Sequence, residues 1–333
     1  MATIKISKNN LYYNLNQLAL KTGDKRKIAA VLKDNAYGHG IELMAKLLKE
    51  YDLTEAVVIN NQEAEKIKNY FENILILNDT PIKKAKFSYA ITSLEQLKNT
   101  PKGVKIELKI DTGMHRNGIL IEQLNEALTI IKKRNLNLFG VFTHYANADE
   151  LGSELAWQQE NFKRVKEQIL SAGLKPRFHS YNSATLLRSN SFSEDIARVG
   201  IAMYGFNELA EIYNKIKLKP ILSLWAKRVS TRELKKGQKV GYGGDFIAPK
   251  NMTISTYDVG YGDGLFRGNS KKPLITTQNL PILGRVSMDF ISLEYAKDEI
   301  CIFNNAQIVA KHFNTISYEI TTSLKENLKR EIV

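Results

Sequence analysis

Between residues 28 and 205, short apolar runs alternate with amphipathic helical patterns, and after about residue 217 the alternation stops. No other feature of this chain restricts its fold as strongly. The runs are IAAVLK (28–33), EAVVIN (55–60), NILIL (73–77), FSYAIT (87–92), VKIELKID (104–111), LFGVFTH (138–144), RFHSYN (177–182) and ARVGIAMYG (197–205). In the intervening IELMAKLLKE, Ile41, Met44, Leu47 and Leu48 share one helical face. In IEQLNEALTIIKKRN, Leu124, Ala127, Leu128 and Ile131 fall at i, i+3, i+4 and i+7. The segments NQEAEKIKNY, SLEQLKN (capped by its serine) and SATLLRSN also read as helices. Pro81 is expected to open a short lysine-rich helix. A longer helix is expected from Glu150 to about Ala172, closed by Gly173. Apolar strands flanked by such helices imply a parallel sheet with its outer face covered. Eight units are the count of a closed (β/α)8 TIM barrel. The alternative is a doubly wound open sheet, which usually has fewer strands.

Beyond residue 217 short strands take over: ILSLWAKRVS, KVGYGGDF, MTISTYDVG, PLITT, LPILGRVSMDFISLEY and EICIFN. Gly-rich turns such as GYGG (241–244) and GYGDG (260–264) separate them. The expected fold class is therefore α/β, with an N-terminal (β/α)8 barrel over 8–217 and a C-terminal all-β domain over 218–333 that takes in an N-terminal strand at 1–7.

Composition narrows the function. With 333 residues, two domains are the natural expectation, and 43% hydrophobic residues are enough for packed cores. The single cysteine, Cys301, excludes an intramolecular disulfide and fits a reducing compartment. The start MATIKISKNN has no apolar signal region, and no apolar run approaches the ~18 residues of a membrane span. A cytoplasmic address is expected. The net charge of +13 raises the question of nucleic acid, but the lysines are spread along the chain and mixed with acids. A basic, solvated surface that attracts anionic small molecules is the better account.

In a βα barrel the reacting groups sit at the C-terminal strand ends. The first run delivers Lys33 and then Tyr37; the fifth delivers Lys109, Asp111, Thr112, His115 and Arg116. The sixth ends in His144, the seventh in Tyr181, Asn182 and Ser183, and the eighth in Arg198, Gly200 and Ile201. No cluster has metal-ligand spacing, and the five histidines are scattered, so no metal is expected. Lys33 is either a solvated charge or an amine placed for a carbonyl. Ser183 is either an N-cap or part of a phosphate site at a helix N-terminus. Tyr37 could be a boundary aromatic, His144 a core residue and Asn182 a turn residue. Their coincidence at successive strand ends favours a ligand. An aldehyde, a phosphate and an electron-accepting ring together describe pyridoxal 5′-phosphate.

The stretches AVLKDNAYGHG (30–40), KIDTGMHRNGI (109–119), THYANADE (143–150), NSAT (182–185), ARVGIAMYG (197–205), VGYGDG (259–264), GRVSMD (284–289) and ISYEI (316–320) resemble, in order, the signatures of the alanine racemase family. The resemblance implies a pyridoxal 5′-phosphate-dependent isomerase that interconverts L- and D-alanine and supplies D-alanine for peptidoglycan. It implies a homodimer in which the β-domain of one protomer completes the site of the other. By position, Lys33 would carry the cofactor and act as the base on D-alanine. Tyr242 would be the opposing base on L-alanine, acting from the partner and assisted by His144 and Arg198. Two bases on opposite faces are what racemisation requires. Arg198 would face the pyridine nitrogen, which an arginine leaves unprotonated. Tyr37, Ser183, Gly200, Ile201 and Tyr318 would hold the phosphate, with Asn182 alongside. Arg116 would pair with the cofactor's phenolic oxygen and the substrate carboxylate, and Met288, from the partner, would supply a backbone contact to that carboxylate. Lys109 matches a lysine that is often carbamylated, and Tyr261, Arg267 and Arg285 match the lining of the access channel. Asp34, His115 and Ser287 depart from the usual residues, and Asp34 and Ser287 bear on substrate range. Two rivals remain: a racemase for serine or another amino acid, and a non-catalytic carrier of the same cofactor.

Overall fold

A computed structural model describes residues 2–213 and 216–333. Its described residues form two compact units. The chain begins with strand β1 (Thr3–Ile6) and a helix, Lys8–Thr22.

One unit comprises Tyr12–Asp34 and Met44–Lys219 and contains the barrel. Its strands are β2 (Ile28–Val31), β3 (Glu55–Val58), β4 (Asn73–Ile76), β5 (Phe87–Ile91), β6 (Lys105–Asp111), the short β7 (Ile119–Leu120), β8 (Asn137–Phe142), β9 (Arg177–His179) and β10 (Ala197–Val199). They pair in parallel in the order β10-β2-β3-β4-β5-β6-β8-β9, with β7 added to β6. At the seam between β9 and β10, the amides of Asp195 and Arg198 donate to the carbonyls of Phe178 (3.2 Å) and Tyr181 (2.9 Å). The eight runs are thus the staves of a nearly closed barrel. Helix starts follow their caps: the side chains of Asn60, Ser93 and Asn182 accept from the amides of Glu63, Gln96 and Thr185.

The structure corrects two helix expectations. No helix follows Pro81; residues 81–86 run as an exposed turn. With Lys83, Lys84 and Lys86 in six residues there is no apolar face to dock, and Lys84 and Lys86 instead reach Glu65 and the Lys68 carbonyl. The long helix is Glu154–Ser171, starting later than expected, and Gly173 closes it in the left-handed region at φ 78°.

A third local feature surrounds Lys33. The helical turn Lys33–Tyr37 is left-handed, with φ of 55°, 54°, 54° and 50° at Asp34, Asn35, Ala36 and Tyr37. Each such non-glycine residue costs about 1–2 kcal/mol. Compensating bonds hold the segment that follows. His39 N–H donates to Ala36 O and Gly40 N–H to Asn35 O (both 3.0 Å), Ile41 N–H donates to Asn35 Oδ1 (2.8 Å), and Arg330 donates to Gly38 O through Nε (3.0 Å) and Nη2 (2.9 Å).

The other unit comprises the N-terminal residues to Leu11, Asn35–Leu43 and Pro220–Val333. Its strands are β11 (Leu222–Leu234), β12 (Lys239–Val240), β13 (Phe246–Ile247), β14 (Met252–Tyr257), β15 (Ile291–Leu293), β16 (Glu299–Phe303) and β17 (Lys329–Ile332). The main sheet runs β15-β14-β11-β1-β17, with β16 on β11. The expected strand PLITT is reduced to one bridge, Ile275 to Pro281, because Pro281 lacks the donor a longer ladder needs. Two helices, Ala306–Phe313 and Ser317–Thr322, complete the unit. Among the described residues no helix is long and apolar enough to cross a membrane.

Gly264 and Gly173 make a test of backbone strain. Both have positive φ, 99° and 78°, but a Cβ on Gly264 would lie 2.1 Å from the Ser323 carbonyl oxygen, whereas one on Gly173 would meet nothing within 4 Å. Urea unfolding should show Gly264→Ala losing roughly 2–4 kcal/mol and Gly173→Ala only about 1 kcal/mol. Equal losses would contradict the packing described.

Candidate active site

In the barrel unit, the ladder of β2 continues through Leu32, whose amide donates to the Val57 carbonyl at 2.8 Å. Lys33 follows directly. Its side chain is 33% exposed, and Nζ lies 3.1 Å from Asp34 Oδ2. The amine is therefore anchored at a strand end yet accessible.

Ser183 is the first residue of the helix Ser183–Arg188, and its Oγ accepts from Gly200 N–H (3.0 Å) and Ala202 N–H (3.3 Å). Two strand ends are thereby joined into one cradle of amides and a hydroxyl. Between these two amides, the Ile201 N–H has no protein acceptor among the described residues. A row of amides around a buried hydroxyl is the donor set a phosphate needs.

Arg198, on β10, is 5% exposed. Its Nη1 donates to His179 Nδ1 (2.7 Å) and His179 O (2.8 Å), and its Nη2 to Thr143 O (2.6 Å). Burial lowers its pKa to about 10, so it stays protonated at neutral pH. His144 follows Thr143. Burial, reinforced by the positive charges of Arg198, Arg116, Lys109 and Lys33, lowers its pKa to about 3. It is therefore a neutral imidazole ringed by cations. Lys109 donates to Asn117 Oδ1, and burial together with Arg116 and Arg198 lowers its pKa to about 8. It is mostly protonated at pH 7, with about a tenth uncharged, far more than an ordinary lysine. The loop carrying Arg116 is shaped by Asp111, whose Oδ1 accepts from the amides of Gly113, Met114 and His115 (3.0, 3.0 and 3.1 Å). His115 sits at φ 56°, a conformation that glycine adopts without strain.

The sheet unit gathers the remaining candidates. Tyr242 is 69% exposed, Met288 54% and Tyr261 42%. A cavity of ≈ 330 Å³ is lined by Tyr242, Leu283, Arg285, Ser287 and Phe290 among others. Arg285 grips Asp245 with both Nε (2.7 Å) and Nη2 (3.1 Å), and Arg267 is a further cation acting on Asp245. The stretches VGYGDG and GRVSMD interlock: Tyr261 N–H donates to Ser287 O (3.1 Å) and Gly262 N–H to Met288 O (2.7 Å). A Cβ on Gly260 would lie 2.1 Å from Met288 O, which explains that glycine. Tyr37, 9% exposed, packs edge to face on Tyr318 with ring centroids 5.5 Å apart. Among the described residues no group of three or more acidic, histidine or cysteine side chains could hold a metal.

The profile of the alanine racemase N-terminal domain matches residues 6–208, and that of the C-terminal domain matches residues 221–332. The chain belongs to the alanine racemase family. A relative named alanine racemase, from a Nitratiruptor species, is 48% identical over 335 aligned residues, spanning 99% of each chain. A solved alanine racemase from Clostridium difficile 630 superposes with a TM-score of 0.90 at 28% identity, covering all of this chain and 95% of that one. A histidine racemase from Leuconostoc mesenteroides subsp. sake superposes with a TM-score of 0.89 at 25% identity, over all of this chain and 98% of that one.

Sequence reasoning missed His179, Glu107, Arg177 and the Thr143 carbonyl around Arg198, and Asn117 beside Lys109. The first three carried a signal, since polar residues recur with period two in KIELKID and RFH, as on the inner face of a barrel strand.

Three histidines, His39 and His179 buried and His144 partly so, set the acid response. Burial lowers His39 and His144 to about 3 and His179 to about 4, from an ordinary imidazole value of 6.5. The unfolded chain thus takes up protons below about pH 6.5 that the folded chain refuses, so this stability is present above that pH and is lost as pH falls. Each histidine contributes up to about 1.4 kcal/mol per pH unit. Thermal midpoints should be level between about pH 7 and 8, below the range where Lys109 titrates, and fall between about 6.5 and 5.5, before carboxylates titrate. His144→Gln should remove about a third of that slope. A midpoint level down to about pH 5.5 would contradict the burial.

Proposed function

We propose that this chain interconverts L- and D-alanine in the cytoplasm as a homodimer with pyridoxal 5′-phosphate, supplying D-alanine for peptidoglycan. The observation that carries the reading is the cradle of Ser183, Gly200 and Ile201 in the same unit as an accessible strand-end lysine and a pinned, protonated arginine. This donor set suits a phosphate-bearing pyridine aldehyde and gives no support to nucleic-acid or membrane partners. When bound, that cofactor supplies an electron-accepting ring that acidifies the α-hydrogen of an amino acid.

The chain's own residues do the rest. Lys33 Nζ holds the cofactor and moves a proton on one face of the substrate. Ser183 Oγ and the amides of Gly200 and Ile201 hold the phosphate, with the hydroxyls of Tyr37 and Tyr318 as further donors. Arg198, which keeps its proton, would face the ring nitrogen and offer it a hydrogen bond but no proton. Arg116 and, from the partner protomer, the backbone of Met288 would bind the substrate carboxylate. Tyr242 of one protomer would serve its partner as the base on the second face, assisted by His144, which stays neutral, and by Arg198. Tyr261, Arg267 and Arg285 line the approach. The lowered pKa of Lys109 favours the neutral amine that reacts with carbon dioxide; as a carbamate, formed with release of a proton, it would pair with Arg116.

A racemase of broader range is the second reading, favoured by the Asp34 carboxylate beside Lys33 and by the fold likeness to a histidine racemase. Comparing kcat/KM across L-amino acids separates the two. For the main reading, the purified protein should absorb in the near-UV and visible, and borohydride should fix the label on Lys33 by peptide mapping. Tyr242→Phe should keep that absorbance and lose about 10²–10⁴-fold in racemisation. Unchanged turnover would favour the carrier role, and a label on another lysine would remove the assignment of Lys33.

A further inference from the structure

The interior of the barrel is threaded by a column of paired charges that runs from the start of β3 to Arg198. Arg177 donates Nη1 to Glu55 Oε2 (2.8 Å) and Nη2 to Glu107 Oε1 (2.6 Å). Glu107 Oε2 lies 2.6 Å from His179 Nε2, and His179 Nδ1 lies 2.7 Å from Arg198 Nη1. Strands β3, β6 and β9 are not neighbours, so these bonds cross the inside of the barrel. Asn73 Nδ2 donates to Glu55 Oε1 (2.7 Å) and Ser88 Oγ to Glu107 Oε1 (2.5 Å), which helps satisfy both carboxylates.

Room for the column is built into the backbone. Gly140 lies on β8, between β6 and β9, and a Cβ there would sit 2.5 Å from Glu107 Oε2 and 3.1 Å from Arg177 Cγ. The register of β6 against β8 shifts at Ile106/Glu107, beside that glycine. The His179 ring is held flat against Phe142, with centroids 4.9 Å apart and planes 7° from parallel.

An arginine is only ever a donor, so the His179 nitrogen facing Arg198 must present a lone pair. A carboxylate is only an acceptor, so the nitrogen facing Glu107 must carry the hydrogen. We propose that Glu107, backed by Arg177 and Glu55, is a positioning residue: it fixes His179 as the Nε2–H tautomer and so locks the Arg198 guanidinium in place. Three of the five N–H donors of Arg198 go to His179 and Thr143, so two others could serve a ligand held at this strand end. With the other tautomer, His179 would set N–H against N–H and turn Arg198 away. The role of Arg198 here rests on the racemase reading; the tautomer does not.

Long-range ¹H–¹⁵N NMR of the holoenzyme, labelled on histidine, reads the tautomer without turnover. Near neutral pH His179 should be uncharged with its hydrogen on Nε2; an Nδ1–H form or an imidazolium overturns the proposal. Glu107→Gln should mix the tautomers and lower kcat roughly 10- to 100-fold, with KM and cofactor absorbance little changed. Glu107→Asp should recover part of kcat. A Glu107→Gln enzyme within about twofold of wild type, with an unaltered tautomer, also overturns it. If Glu107→Gln does not fold, the wild-type spectrum decides alone. If the protein proves not to be a racemase, the spectrum still tests the Glu107–His179–Arg198 arrangement.

Discussion

A guanidinium buried to 5% exposure can keep its charge only if the protein supplies acceptors and countercharge. Arg198 imposes that requirement, and much of the barrel interior answers it. The Thr143 and His179 carbonyls and the His179 ring accept its hydrogens. Glu107 supplies the negative charge one residue further on, is held below the usual carboxylate range against burial by Arg177 and His179, and Arg177 in turn needs Glu55. Barrel interiors are usually filled by layers of branched apolar side chains. Here part of that packing gives way to ion pairs, and the gain is a cation of fixed orientation at a strand end. Burial, with the Arg198 charge beside it, keeps His144 neutral and lowers the pKa of Lys109.

Backbone strain is concentrated just after Lys33. The left-handed turn after β2 holds four non-glycine residues in a region that costs about 1–2 kcal/mol each. It directly follows the lysine assigned to the cofactor, and it is over-determined by bonds from Asn35, His39 and Arg330. Stored strain of this kind fits a segment whose geometry is fixed for a ligand rather than for its own stability.

Much of this was legible in the residues. Buried parallel strands read as unbroken apolar runs, so their number and ends could be counted, and Lys33, Ser183, Gly200 and Arg198 could be placed at those ends. The register of glycines in VGYGDG could be seen, but not that Gly260 makes way for the Met288 carbonyl. The left-handed turn was hidden, because local preference opposes it and only Asn35 and the flanking glycines hint at it. The helices after Asn305 lay beyond the strand pattern, although the Asn305 side chain caps the first of them. The charge column was written as alternation in KIELKID and RFH. A sequence does not show which strands face each other across a barrel, so Glu107 and His179 could not be paired. The expected helix at Pro81 failed for a simple reason: a charged six-residue stretch has nothing to bury.

The central claim is that Arg198 stays protonated and gives a hydrogen bond, not a proton, to the cofactor ring. The ¹⁵N chemical shift of ring-labelled pyridoxal 5′-phosphate bound to the protein measures this directly. The account requires the shift of an unprotonated, hydrogen-bonded pyridine nitrogen across the neutral pH range. The shift of a pyridinium would contradict it.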